Sequence, residues 1–340
     1  MAQKNILVTG GTGLLGAHLL LAFCKQGHDV VATRRSTSDM KLLHSIFGIQ
    51  RSLLNHITWL TGDLCDPIFA DEVTRNVQTV FHCAGKVSFG AGEYDSLIKT
   101  NVDATANIAN SSLVNGVEHF IHVSSVAAIG RTENQTIITE NTEWKPSSYN
   151  SNYAVSKYEG EMEVWRAIAE GLNAVIVNPV LILGHGNWTT DSTSIIGRVF
   201  NGMPFYTNGG NGFVDVDDVV RILLWLSENK ICNERYIICG ANKKYKDVLD
   251  TICIELDRKP PTIEAGKFLC ALAWRWEKMK SMITGTPSVI TKETISTALN
   301  TSEYDSSKII ALTKMTFTPF EETVEKYCKI FLEEQKTKGA

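Results

Sequence analysis

A short apolar strand, Ile6-Leu7-Val8-Thr9, runs straight into Gly10-Gly11-Thr12-Gly13-Leu14-Leu15-Gly16 and then into an amphipathic helix that stops at Gly27. Few folds place glycines three apart between a strand and a helix. The first glycine permits a tight turn, the second leaves the backbone open to an approaching anion, and the third lets the helix pack on the strand. The helix N-terminus adds N–H groups that have no intrahelical acceptor, and these suit a pyrophosphate. A glycine-rich turn alone is common; the strand before it and the helix after it supply the required context. Gly10, Thr12, Gly13, Leu14, Leu15 and Gly16 therefore read as a dinucleotide cradle at the start of a parallel sheet.

The rest of the chain keeps that rhythm. Further strand-like runs fall at 30–33, 57–61, 79–82, 120–124 and 174–178, with helical patterns near 41–49, 66–76, 95–115 and 151–170. The strands are apolar throughout instead of alternating, so both faces of the sheet are covered by helices. The expected fold is α/β: a Rossmann-type, doubly wound parallel sheet with a smaller, mainly helical C-terminal lobe. Beyond residue 178 the pattern loosens into a Gly/Thr/Ser-rich loop at 184–194, a short helix and a turn at Gly209-Gly210-Asn211-Gly212. A helix at 216–227 and a strand at 236–239 follow, then helices at 245–257, 266–283, 290–299 and 319–334. For 340 residues, two parts are expected. Residues 1–180 form the cofactor domain, to which 213–240 returns, and 181–212 with 241–340 form the substrate lobe.

The end of the second strand bears on which dinucleotide binds. An NAD site places Asp or Glu there to hold the ribose 2′-hydroxyl. This chain has Thr33-Arg34-Arg35-Ser36, with no acid and two planar guanidinium groups that match a phosphate. Arg34 and Arg35 therefore point to NADP, with NAD the weaker fit. The formal net charge of −4 argues against a nucleic-acid binder held by phosphate contacts. The eight scattered cysteines form no Cys-x-x-Cys pair and read mostly as small core hydrophobes. No metal-ligand spacing occurs among the eight histidines, and His82 reads as a satisfied core residue. No signal peptide and no membrane-length apolar run are visible, so the chain is expected to be cytoplasmic without a membrane span. The sequon Asn134-Gln135-Thr136 carries little weight in that setting.

Tyr153 and Lys157 lie four residues apart in a helical stretch, hence on one face. A phenol has an ordinary pKa near 10, and a nearby ammonium lowers it toward neutrality, which suits proton exchange with a substrate oxygen. Ser124-Ser125, at the end of the fifth strand, can hold that oxygen. The spacing alone is unspecific, and Tyr304 and Lys308 match it too. Position separates the pairs: Tyr153 follows the fifth strand, where a parallel sheet opens its ligand crevice.

Together these residues resemble the extended branch of the short-chain dehydrogenase/reductase superfamily, and within it the dihydroflavonol-4-reductase group, with 3β-hydroxysteroid dehydrogenases as relatives. The resemblance is strong over the first 180 residues and readable to about Asp218. It places the glycine motif on Gly10, Gly13 and Gly16, and the adenine-side pair on Asp63-Leu64. The small-residue turn falls on Ala84-Gly85 beside Lys86, and the Asn-Val element on Asn101-Val102. Ser125, Tyr153 and Lys157 match the catalytic residues, with Ser124 as neighbour. The cofactor-flanking proline falls on Pro179 before Val180, and a late Phe-Val-Asp-Val-x-Asp-Val element on Phe213 to Val219. The group often has alanine at Gly85.

What the resemblance implies is ketone/alcohol interconversion by hydride transfer from or to a nicotinamide. Tyr153 would exchange the proton and Ser125 would hold the oxygen. Lys157 would lower the tyrosine pKa and hold the ribose, while Asn101 would help to position a relay water. Candidate substrate contacts are Val87, Ser88, Phe89, Ile129, Asn187, Trp188 and the pair Phe205-Tyr206, which together imply an apolar or aromatic small molecule. Two other readings stay open: a nucleotide-sugar epimerase or dehydratase of the same fold, and a non-catalytic NADP(H) sensor. Monomer and homodimer are equally open. The Trp-rich stretch Phe268 to Trp276, near Arg275, Lys278 and Lys280, reads as a core-and-solvent helix, with peripheral lipid contact as the alternative.

Overall fold

The computed structural model describes residues 5–90, 92–130, 137–147, 150–189, 192–284 and 292–338; the sequon at 134–136 lies outside them. Strand β1 (Ile6–Thr9) leads through helix α1 (Leu14–Lys25) to β2 (Val30–Arg34) and, after α2 (Lys41–Phe47), to β3 (Ile57–Thr61). Helix α3 (Pro67–Thr74) leads to β4 (Thr79–His82). A long helical passage, α4 (Tyr94–Ile98) and α5 (Ala104–Val114), then reaches β5 (His119–Val123). Helix α6 (Asn152–Ala169) and β6 (Ala174–Pro179) complete this half.

The expected helix at 95–115 is thus two helices joined by a wider π-turn at Lys99–Asp103, which carries Asn101. Such turns are rare and recur at functional sites. Next come β7 (Leu181–Leu183), α7 (Ser194–Phe200), β8 (Phe205–Tyr206), β9 (Gly210–Asp215), α8 (Val216–Glu228), β10 (Glu234–Ile238) and β11 (Ala241–Lys244). The chain ends with α9 (Tyr245–Glu255), β12 (Ile263–Glu264), α10 (Lys267–Thr284), α11 (Lys292–Leu299), α12 (Ser307–Thr313) and α13 (Phe320–Lys338).

Seven strands form one parallel sheet in the order β10-β6-β5-β4-β1-β2-β3. The chain winds outward from β1 in one direction, then restarts at β4 and winds in the other. The crevice at that reversal, outside the strand C-termini, is where such sheets bind ligands. Burial on both faces accounts for the unbroken apolar strands. In β1, Ile6 and Val8 point into one core with α1 and α8, while Leu7 points into the other with α3, α5 and α6. Strand β10 pairs in parallel with β6, and α8 packs on α1.

The expected turn at Gly209–Gly212 is corrected by the structure. Gly210–Asp215 is the central strand of a second, three-stranded sheet, β11-β9-β7. Its glycines serve close packing: a Cβ on Gly212 would lie 2.5 Å from Val180 Cγ1 and 2.8 Å from Cys239 Sγ. All eight cysteines are free thiols, five of them buried. Helices α12 and α13 turn back onto earlier parts of the chain. Lys308 of α12 binds Glu234 of β10 at 2.5 Å. Glu334 of α13 accepts from Ser45, and from Trp188 Nε1 at 2.8 Å, and contacts His185 Nε2 at 2.7 Å.

Candidate active site

A cleft of about 2210 Å³ opens over the strand C-termini at the reversal point. A drug-sized ligand occupies roughly 300–1,000 Å³, so this cleft has room for a dinucleotide and a second molecule together. Its floor is the glycine turn. Gly10 has φ +67°, and a Cβ there would sit 2.7 Å from the Ala84 backbone. A Cβ on Gly16 would lie 2.2 Å from the Gly10 carbonyl oxygen, so helix and turn touch backbone to backbone. Gly13 is different: it borders the cleft, and a Cβ there would meet only the Gly10 oxygen, at 3.4 Å. It caps α1 with no side-chain hydrogen bond, which leaves the first-turn amides open to an anion.

Ser124 also lines the cleft, and its hydroxyl is buried with no partner among the described residues. An open anion cradle with an unsatisfied hydroxyl in the same crevice fits a dinucleotide. Gly10, Gly13, Leu14, Leu15, Gly16, Gly85, Lys86, Ser124, Lys157, Pro179 and Val180 line this cleft; Thr12, Leu64 and Ala84 do not. Leu64 is a core residue behind β4, and the Ala84 amide donates to Thr9 Oγ1.

Arg34, Arg35 and Asp63 lie at the ends of β2 and β3, outside the cleft lining. Arg34 donates through Nε to Thr61 Oγ1 at 3.3 Å and lies over the Trp59 ring. Arg35 is exposed. The Asp63 carboxyl is held below its usual range, chiefly by the Cys65 amide and further by the charges of Lys99 and Arg35.

Helix α6 carries two of the candidate site residues, Tyr153 and Lys157. Ser151 caps it, accepting from the Ala154 amide at 3.0 Å, and this fixes where the first turn begins. Tyr153 then faces Ser125, and Phe89 meets the phenol ring edge-on with centroids 5.6 Å apart. Lost hydration pushes the Tyr153 pKa up, while the hydrogen bond with Ser125 opposes this. Lys157 is 6% exposed and donates to the Val123 carbonyl at 3.1 Å. Burial brings its ammonium down to about 8, with Glu161 opposing. The ammonium is therefore held at the floor of the cleft, and the phenol keeps a raised pKa in the protein alone.

Asn101 is 2% exposed and does not line the cleft. Its amide clamps Lys86: Oδ1 accepts from the Lys86 amide at 2.7 Å, and Nδ2 donates to the Lys86 carbonyl and to Ser156 Oγ. The Lys86 ammonium pairs with Glu93 and donates to Ser96 Oγ.

The substrate candidates divide. Val87, Ser88, Phe89, Phe205 and Tyr206 line the cleft. Ile129 does not: it is fully buried in the core. Trp188 is 7% exposed, stacks on His185 and donates to Glu334. Asn187 is spent on its own loop, where Oδ1 accepts from the Thr189 amide and hydroxyl. All three lie outside the cleft lining: Ile129 and Trp188 because an apolar side chain near a strand end reads alike whether it faces core or crevice, and Asn187 because its amide oxygen is engaged by Thr189. Tyr304 borders the cleft, but Lys308 is turned away onto Glu234 and the Arg235 carbonyl. His82 is satisfied by Thr9 and Thr105, and burial holds it neutral with a pKa of about 3.

Sequence reasoning missed a buried polar chain behind Ser125. Asn178 Nδ2 donates to the Ser125 carbonyl at 3.0 Å and to Glu161 Oε2 at 2.7 Å. Glu161 Oε1 receives Arg235 NH1 at 3.1 Å and Trp165 Nε1 at 3.3 Å. Glu161 stands one turn beyond Lys157, and a glutamate there, flanked by apolar positions, was the available signal.

A family model described as "NAD dependent epimerase/dehydratase family" matches residues 6–239. Among curated proteins, the chain is 28% identical over 310 residues to a Synechocystis protein named as a dihydroflavonol 4-reductase, covering 89% of this chain and 87% of that one. It is 30% identical over 241 residues to sterol demethylase protein B of Methylococcus capsulatus, covering 69% and 70%. Among solved structures, gox2253 superposes with a TM-score of 0.78 at 26% identity, covering 97% of this chain and 98% of that one. The UDP-glucose 4-epimerase of Thermotoga maritima superposes at 0.76 with 19% identity, over 98% and 100%, a likeness of fold alone.

Proposed function

We propose, from the premise that this chain belongs to the NAD dependent epimerase/dehydratase family, that it is an NADP-dependent reductase or dehydrogenase interconverting a ketone or aldehyde and its alcohol. One observation carries this reading: Tyr153, Ser125 and Lys157 converge on the same cleft as the glycine cradle. The bound nicotinamide supplies the hydride donor or acceptor, and the protein orients it. Gly13 and the first turn of α1 would hold the pyrophosphate, and Arg34 with Arg35 the 2′-phosphate. The printed names of the relatives, reductases of dihydroflavonol and anthocyanidin among them, support the reaction class.

In that reaction Tyr153 gives a proton to the substrate oxygen during reduction and takes it back during oxidation. Ser125 bonds the same oxygen and the phenol, so the proton has a short fixed path. The Lys157 ammonium stabilises the phenolate left after transfer. Asn101 fixes the Lys86 backbone and so shapes the cleft wall. Val87, Ser88 and Phe89, with Phe205 and Tyr206, form an apolar and aromatic substrate region. The decisive experiment screens ketones and aldehydes with NADPH. Turnover that vanishes in Tyr153→Phe supports the reading, and equal turnover in that variant overturns the role of Tyr153. Binding of NADPH with no turnover on any carbonyl would leave the sensor reading.

A further inference from the structure

The outer wall of the cleft mouth carries an exposed apolar face. On α10, Phe268, Leu272 and Trp276 are 79%, 47% and 65% exposed. They recur every four residues and so share one helix face. Beside them, Ile263 of β12 pairs in parallel register with Phe205 of β8, and both are exposed. Helix α10 begins three residues after β12 ends, so the helix follows the strand pair directly along the chain. The other side of the same elements lines the cleft through Leu269, Cys270, Ala265 and Tyr206. A folded chain does not expose an apolar patch of this kind without a use for it.

The charge beside the patch selects the occupant. In sequence, α10 holds four cations, Lys267, Arg275, Lys278 and Lys280, against Glu277, and β12 adds one exposed anion, Glu264, in a chain whose net charge is −4. Lys267 and Arg275 are exposed. Exposed aromatic residues with a local basic excess match a helix lying in the plane of an anionic lipid surface. Among the described residues, no helix is long and apolar enough to cross a membrane, which leaves docking in the interface. We propose that α10, with the β8–β12 pair, docks this protein onto anionic bilayers, with the cleft mouth beside the lipid. If the chain acts on an apolar carbonyl, as proposed above, substrate would then enter from the membrane.

Vesicle sedimentation tests the docking separately from turnover. The full chain is mixed with phosphatidylcholine vesicles, with or without phosphatidylserine. The expected result is sedimentation with the phosphatidylserine vesicles that weakens as salt screens the charges. The triple variant Phe268→Ser, Leu272→Ser, Trp276→Ser should bind about tenfold or more weakly, and Lys267→Glu with Arg275→Glu should remove the phosphatidylserine preference. Retained NADPH binding and an unchanged melting temperature show that the variants are folded. Absence of wild-type sedimentation, or equal sedimentation of the triple variant, overturns the proposal. A wild-type dimer that the triple variant converts to monomer also overturns it, because the patch would then cover a second copy of the chain.

Discussion

Lys157 has the most consequential electrostatics of any single residue here. Its folded pKa of about 8 lies below the ordinary 10.5, so the folded state disfavours the charged form. The sign follows from linkage: the unfolded chain binds more protons between those values, so stability rises with pH across that window. The burial cost is fully present below pH 8, fades as pH climbs from 8 to 10.5, and is gone above that. Lys157→Met should therefore stabilise the ligand-free protein by about 1–3 kcal/mol at neutral pH, with the gain shrinking at alkaline pH, as read by urea unfolding. The same variant should lose turnover. Tyr153→Phe removes only the hydroxyl proposed to exchange the proton, and kcat should fall about 10²–10⁴-fold while NADPH affinity changes little. Arg34→Ala with Arg35→Ala should weaken NADPH about tenfold or more and leave NADH nearly untouched, by fluorescence titration. A variant that binds both cofactors as before removes the arginines from 2′-phosphate recognition.

At the level of elements, α6 is held against the rest of the site at two points. Gly160 lets it approach the π-turn so closely that a Cβ would lie 2.2 Å from the Asn101 carbonyl oxygen. Gly160→Ala must push that turn away, and with it the Asn101 clamp on Lys86. The expected cost is about 1–3 kcal/mol in stability, together with reduced turnover. At the next residue of α6, Glu161 anchors Asn178, which in turn fixes the Ser125 carbonyl. Asn178→Leu leaves the buried Glu161 oxygen without this donor and frees the Ser125 turn. Its signature should be a loss of kcat beyond any loss of folded protein, checked by activity per folded molecule. The sequence made α6 visible through its apolar spacing and Ser151. The π-turn was invisible because its residues, Lys99 to Asp103, carry no helix breaker. Strand β9 was misread as a turn because glycine signals both a reversal and a close backbone approach.

Across the whole molecule, the C-terminal helix acts as a strap. Glu334 on α13 gathers Ser45, His185 and Trp188 from distant parts of the chain. Those bonds hold its carboxyl below the usual range against a burial that raises it. A depressed carboxyl stabilises the fold above its ordinary pKa, and that contribution is lost as pH falls through the folded value. Glu334→Ala should cost about 2–4 kcal/mol near neutral pH and noticeably less in acid, by denaturant midpoint. By itself the sequence determined the sheet: apolar runs buried on both faces and glycines between strand and helix are local signals with few solutions. It also offered Tyr153 and Lys157 through their spacing on one helix and the pair Ser124-Ser125 at one strand end, from which the family resemblance singled out Ser125. Only the tertiary structure decided that Ile129 and Trp188 pack inward while Phe205 and Tyr206 border the cleft, because identical apolar chemistry serves core and crevice. It alone joined Glu161, Asn178 and Arg235 behind the serine, since a buried charge chooses its partner across space and not along the chain.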